Sequence, residues 1–171
     1  MLYFAKNKNN GYTLVEMIIY AALLSVISLL AVSTIVSFSK SYRTLVVLRA
    51  VDHSAIGAME RMTRDIRGAT SLDLSRSVFG AGSGVLTIVT IYNSIETTTK
   101  FYLDNGAVKI DVNGDYFGPL TLSNVSVTSL TFTKLDSGIG NAVKIDMTVS
   151  ATVGTASKTK TYHSTVILRG Q

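Results

Sequence analysis

No cysteine and no tryptophan occur in the 171 residues, and there is a single proline. Without cysteine there are no disulfides, no thiolate nucleophiles and no cysteine-ligated metal. Charged residues make up only 16% of the chain, against 47% hydrophobic. That balance excludes a disordered chain, which would be poorer in apolar and richer in charged side chains. The two histidines, His53 and His163, stand alone, and with no cysteine beside them they form no zinc set. Each reads as an ordinary surface or packing residue. The length suits one domain of common size with an appendage.

What is present is unevenly placed. From Met17 to Ser39 no side chain carries a charge. This run exceeds the ~18 apolar residues that mark a membrane span. The formal net charge of +5 is concentrated near the start. Lys6 and Lys8 precede the apolar run. Lys40, Arg43, Arg49, Arg61, Arg64 and Arg67 follow it, against Asp52, Glu60 and Asp65. Such scattered basic residues do not make the concentrated face that nucleic acid requires, so no nucleic-acid partner is expected for the remainder.

Four consecutive parts follow: a short polar leader (1–11), an apolar segment (12–39), a polar stretch with helical periodicity (40–68) and a part rich in Thr, Val, Ser and Ile (69–171). No proline falls between Tyr12 and Thr70, so the second and third parts read as one helix from about Thr13 to about Arg67. Leu48, Val51, Ala55, Met59, Met62, Ile66 and Ala69 recur at three- and four-residue steps as one apolar stripe. Gly68 offers a helix end. Such a helix would be roughly 80 Å long at 1.5 Å per residue, more than a small domain can cover. The bare part must lie in lipid or against partners.

The last part reads as strands: Val85–Tyr92, Ile95–Leu103, Ala107–Val112, Val125–Leu135, Ala142–Val153 and Thr161–Arg169. Turns are expected at Asp104-Asn105-Gly106, Asn113-Gly114-Asp115, Ser137–Asn141 and Gly154–Lys158. From Val143 to Thr152 apolar and polar residues alternate cleanly, as on a half-buried strand. The fold class is therefore α+β: a long N-terminal helix packed on a mostly antiparallel head.

Three readings compete for residues 1–39. A cleaved signal peptide would use Lys6, Lys8 and the Ala31-Val32-Ser33 site, but its apolar core should be shorter and free of Glu16. A plain single-pass anchor explains the length, with Glu16 snorkelling to headgroups. The third reading uses every feature. Gly11-Tyr12-Thr13-Leu14-Val15-Glu16-Met17, behind a short basic leader and ahead of an uncharged run, resembles the processing site of type IV prepilins and type II secretion pseudopilins. The one departure is Tyr12, where phenylalanine is commoner.

The resemblance implies a pilin-like fold and a mechanism. A prepilin peptidase in the membrane would cut after Gly11 and N-methylate Tyr12. The subunit would stay a single-pass protein of the cytoplasmic membrane, head outside, until drawn into a helical filament with other pilins or pseudopilins. The head-out orientation rests on the resemblance, because basic residues flank both ends of the span. A physical argument runs beside it. A carboxylate moving from lipid into a filament core needs a cation. The Tyr12 amine of a neighbouring subunit supplies one, which gives Glu16 an assembly salt bridge.

Ala58–Arg67 and the ending His163–Arg169 are similar to the stem end and the last strand of J-type minor pseudopilins and W-type minor pilins. That likeness implies a minor subunit, part of a tip complex that primes assembly. Glu16 puts it below the outermost position, since the family's outermost subunit often lacks this residue.

Other chemistry is sparse. Gly80-Ala81-Gly82-Ser83-Gly84 lacks the lysine of a phosphate loop and reads as a flexible connection from stem to sheet. Asp111, Asn113 and Asp115 form a weak calcium candidate in a turn, without the spacing of an EF-hand. No cofactor is implied. Two rivals stand against a structural subunit: a membrane-anchored β-domain that binds but never polymerises, and an exported enzyme or adhesin. No cluster of convergent titratable residues favours the enzyme.

Overall fold

A computed structural model of the chain describes residues 11–136 and 141–169. The leader before Gly11 and most of the turn expected at Ser137–Asn141 lie outside these residues. The chain divides into two units, Met1–Ser41 and Tyr42–Gln171.

One helix, α1 (Leu14–Gly68), runs through both. Its start is set by Thr13. The Thr13 hydroxyl accepts a hydrogen bond from the Glu16 amide at 3.3 Å, and the Thr13 carbonyl accepts from the Met17 amide at 3.2 Å. Thr-x-x-Glu is the sequence form of such a cap. In the first unit every side chain from Tyr12 onward is exposed except Glu16, which is half-buried. The hydroxyls of Ser25, Ser33 and Thr34 bond to carbonyls three or four residues back. Internal satisfaction of this kind is what a lipid-facing helix requires.

In the second unit α1 buries Val47, Val51, Ser54, Ala55, Ala58, Met59, Met62 and Ile66. The expected stripe is present with one shift. Leu48 is only half-buried, and Val47, Ser54 and Ala58 complete the face. The small residues Ser54, Ala55 and Ala58 leave room for the connection between two strands at residues 120–125. There the Ser54 hydroxyl accepts from the Leu122 amide at 3.1 Å.

The strands make two antiparallel sheets. The first runs in the order β1 (Ser71–Leu72), β2 (Val85–Tyr92), β3 (Ile95–Asp104), β4 (Ala107–Val112), β5 (Asp115–Pro119). The second is β6 (Ser126–Asp136), β7 (Asn141–Val153), β8 (Ala156–Ile167). Phe101, Leu86, Ile88 and Ile110 of the first and Phe132, Leu130, Ile145 and Met147 of the second share one core with Met62 and Ile66. The alternation expected of β7 is observed: Val143, Ile145, Met147, Val149 and Ala151 are buried and the residues between them are not.

Short hairpins set the register. Asn93-Ser94, Asn105-Gly106 and Asn113-Gly114 each place two successive residues at positive φ, as type I′ turns demand. Three expectations need correction. β8 begins at Ala156, not Thr161, because Gly154 at φ 62° opens a two-residue loop and Val153 pairs with Ala156. Lys158 and Lys160 therefore belong to an edge strand, where charge discourages stray pairing. β5 was not legible: Tyr116-Phe117-Gly118-Pro119 has no β-branched residue, and a register shift at Ile110/Asp111 accommodates it on the edge.

The third correction concerns Gly80–Gly84. This segment is no loose connection but the seam between the sheets. Gly80 N–H donates to the Phe132 carbonyl at 2.9 Å, Leu130 N–H to the Gly82 carbonyl at 2.7 Å, and Gly84 N–H to the Leu130 carbonyl at 2.7 Å. Backbone comes so close that a Cβ on Gly84 would lie 2.9 Å from the Leu130 oxygen and 3.0 Å from the Phe132 ring. Gly84→Ala should therefore cost about 1–3 kcal/mol. Gly57→Ala is the counter-test, since its Cβ meets nothing within 4 Å on an exposed helix face. It should stabilise by roughly 0.5–1 kcal/mol. Urea denaturation of residues 42–171 measures both, and equal effects from the two substitutions would refute the seam.

Candidate processing and assembly site

Among the described residues, Gly11, Tyr12, Thr13, Glu16 and Tyr20 form the polar group at the head of the apolar helix. Gly11 and Tyr12 precede the first helical turn and are exposed, and nothing lies within 4 Å of a Cβ built on Gly11. The 11–12 bond therefore lies outside the helix, where a peptidase could reach it. Glu16 sits in the first turn of α1, where unsatisfied amides favour an anion. Its Oε1 accepts a hydrogen bond from the Tyr20 hydroxyl at 2.7 Å. The Tyr20 ring meets the Tyr12 ring edge-on, with centroids 6.4 Å apart. The sequence pointed to Gly11, Tyr12 and Glu16. It did not point to Tyr20, although four-residue spacing places residues 12, 16 and 20 on one face.

The remaining candidates fall elsewhere. In the β4–β5 hairpin, Asp111 Oδ1 accepts from the Tyr102 hydroxyl at 3.0 Å, and Asn113 Oδ1 accepts from the Thr98 amide at 2.9 Å. Two of the three proposed calcium ligands thus already have partners on the neighbouring strand β3. Among the described residues, no three His, Cys, Asp or Glu side chains gather to hold a metal. His53 is exposed on α1. His163 Nδ1 lies 2.5 Å from Asp146 Oδ1 on the outer face of the second sheet, and Lys144 Nζ reaches the other oxygen at 2.9 Å.

Two stretches that carried the finer likeness meet in space. Arg169 N–H donates to the Arg67 carbonyl at 3.1 Å, which closes the helix end. Gly68 needs no positive φ there. Glu60, Thr63, Arg64, Arg67, Gly68 and Arg169 line a concavity of about 600 Å³.

A further cluster ties stem to head. Asp52 of α1 accepts from Lys160 Nζ at 2.8 Å and from the Tyr162 hydroxyl, both on β8. The Lys160 bond, then the Tyr162 bond, holds the Asp52 carboxyl below its ordinary range. Tyr162 is pushed up in turn, by burial first and by Asp52 second.

The comparisons with known proteins bear on the first of these sites. A family described as Prokaryotic N-terminal methylation motif matches residues 6–32. The chain carries a prepilin-type methylation motif. The match covers the basic end of the leader, the Gly11–Glu16 group and the apolar half-helix, and it supports the type IV pilin and pseudopilin family. It stops short of the head. No curated protein and no solved structure matches the chain. A prepilin-type motif on a long apolar helix supports a substrate of prepilin peptidase and fits membrane anchoring.

Acid should loosen the head in a defined direction. Asp52 is lowered by Lys160 and Tyr162, Asp146 by His163 and Lys144, and Asp73 to about 2 by the Ser75 and Arg76 side chains. A carboxyl whose folded value is depressed stabilises the fold above its unfolded value of ~4. That contribution disappears as pH falls through the folded value. The contribution of these three carboxyls to the stability of residues 42–171 should thus drop from about pH 4 toward 2. Asp52→Asn should cost stability at pH 7 and progressively less toward pH 2, by a modest amount because the side chain is 40% exposed. Denaturant midpoints across this pH range test it, and a parallel offset at every pH contradicts it.

Proposed function

We propose that the chain is a minor pilin or pseudopilin. Residues 1–11 are a leader peptide removed by prepilin peptidase. Residues 12–39 first span the cytoplasmic membrane and then form filament core. Residues 40–68 are the stem, and 69–171 the β-rich head, held outside the membrane. The protein is a structural subunit and not an enzyme. It joins other pilins in or near the tip of a type IV pilus or a type II secretion pseudopilus and helps prime assembly.

The observation that carries this reading is the Gly11–Glu16 group at the start of a helix whose apolar side chains are exposed on every face. A carboxylate beside such a surface costs free energy in lipid, so it must have a use. Cleavage at Gly11 creates a cation at Tyr12, and methylation keeps that charge. Between neighbouring subunits the amine and Glu16 neutralise each other. The minor, tip-associated role is supported by Ala58–Arg67 and His163–Arg169, by the lack of a proline in the membrane half and by the lack of cysteine for a closing loop.

Mass spectrometry of the protein from its native host should find an N-methylated terminus at Tyr12. A terminus near Thr34 would indicate a signal peptide instead. An uncleaved leader would favour the anchor that never polymerises. Glu16→Ala should leave insertion and cleavage intact, because Gly11 is untouched and a carboxylate has left the apolar segment. Docking should weaken by roughly 3–5 kcal/mol, since the neighbour's amine loses its counter-ion. Filaments should become fewer rather than shorter, because a priming subunit acts at initiation. Normal filament counts at normal membrane levels would return Glu16 to a snorkelling residue.

A further inference from the structure

We propose that Tyr20 is a positioning residue for assembly, which holds the Glu16 carboxylate aimed for the incoming amine while the subunit waits in the membrane. This rests on the reading that Glu16 pairs with a neighbour's N-terminus. A glutamate side chain on a lipid-facing helix has three rotatable bonds and no water to bond. Left alone, it would sample many directions or lose its charge. The Tyr20 hydroxyl, one turn on, donates to Oε1 at 2.7 Å, within the short range of a hydroxyl bonded to a carboxylate.

That bond occupies one oxygen and leaves Oε2 for the amine. The tyrosine is steadied in turn. Its ring packs edge-on against the Tyr12 ring, a geometry aromatic pairs prefer. The backbone below is fixed by the Thr13 cap on the Glu16 amide. The hydroxyl thus holds the carboxylate directly, while the ring contact steadies the tyrosine and the cap fixes the backbone, before any partner arrives. Freezing a flexible side chain in advance removes part of the ordering cost of docking. Tyr20 acts as a co-partner in this arrangement and not as a competitor, because amine and hydroxyl use different oxygens.

The test uses the full-length, leader-cleaved protein and two substitutions. Tyr20→Phe keeps the ring and its contact with Tyr12 and removes only the hydroxyl. In phosphatidylcholine bicelles, with tyrosine labelled at the ring carbon that bears the hydroxyl, Tyr20→Phe assigns the Tyr20 resonance by its disappearance. That resonance should move on Glu16→Ala, while the tyrosines of the head stay in place. A Tyr20 resonance indifferent to Glu16→Ala overturns the proposal. In the host, Tyr20→Phe should leave membrane level and cleavage unchanged and lower filament number by roughly two- to tenfold. The double variant should assemble no worse than Glu16→Ala alone. A full additional loss in the double variant means that Tyr20 acts by another route, and the proposal falls. If Glu16→Ala itself assembles normally, the amine pairing fails, whereas the resonance shift still reports whether the two side chains are bonded in the membrane.

Discussion

A helix that is apolar on every face has no resting place in water. From Leu14 to Phe38 the large side chains are at least 48% exposed, and no charge interrupts them after Glu16. Each would gain ~1.5–3 kcal/mol on complete burial. Summed over the span this exceeds the whole stability of a typical domain. The surface must therefore be covered at all times, by lipid or by similar helices. That constraint explains the rest of the unit. Hydroxyls fold back on carbonyls, proline is absent, and charge is confined to the first turn, where the helix end itself favours an anion.

The head has to manage without that surface. Its core is complete within residues 42–171, closed by Val47 through Ile66 on one side and by two sheets on the other. Two seams join the sheets, one at Gly80–Gly84 along β6 and one where Val127 N–H donates to the Gly106 carbonyl at 2.8 Å. Both depend on glycine, since a Cβ on Gly106 would lie 2.8 Å from the Ser126 hydroxyl. Asp52 then fastens the stem to the edge strand β8 through Lys160 and Tyr162. A small domain with no disulfide holds its shape by a shared apolar core, with the sheets locked by backbone proximity and the stem fastened by the Asp52 cluster.

Periodicity carried most of this into view beforehand. The 3.6-residue stripe of the stem and the strict alternation of β7 are local signals of burial, and both elements lie where their patterns put them. What stayed hidden was non-local. Glycines spaced every second residue look like a loop until β6 is brought beside them. Leu48 and Val47 are both apolar, and only the angle of the sheets decides which is covered. Tyr20 sat inside an apolar run and read as bulk, because its role depends on a hydroxyl meeting a side chain one turn away. The processing motif was legible for the opposite reason. It must be recognised in extended chain by a peptidase, so its information is in residue order and not in packing.

Apolar contacts are non-directional, which sets the last step. Two helices covered in Leu, Ile and Val pack almost equally well after sliding by a turn, because each offset buries a similar area. A filament needs one offset. In this span the choice falls to the few groups whose attraction is both strong and local. The Ser25, Ser33 and Thr34 hydroxyls already bond their own backbone. Glu16 remains, with Oε1 bonded to Tyr20. A slipped neighbour would leave both the carboxylate and an amine unpaired in apolar surroundings, the most expensive outcome available to either. The penalty for the wrong register therefore exceeds the gain from any apolar contact made there. Under the proposed pairing of Glu16 with a neighbour's terminal amine, one carboxylate near the end of a greasy helix is enough to choose how its neighbours line up.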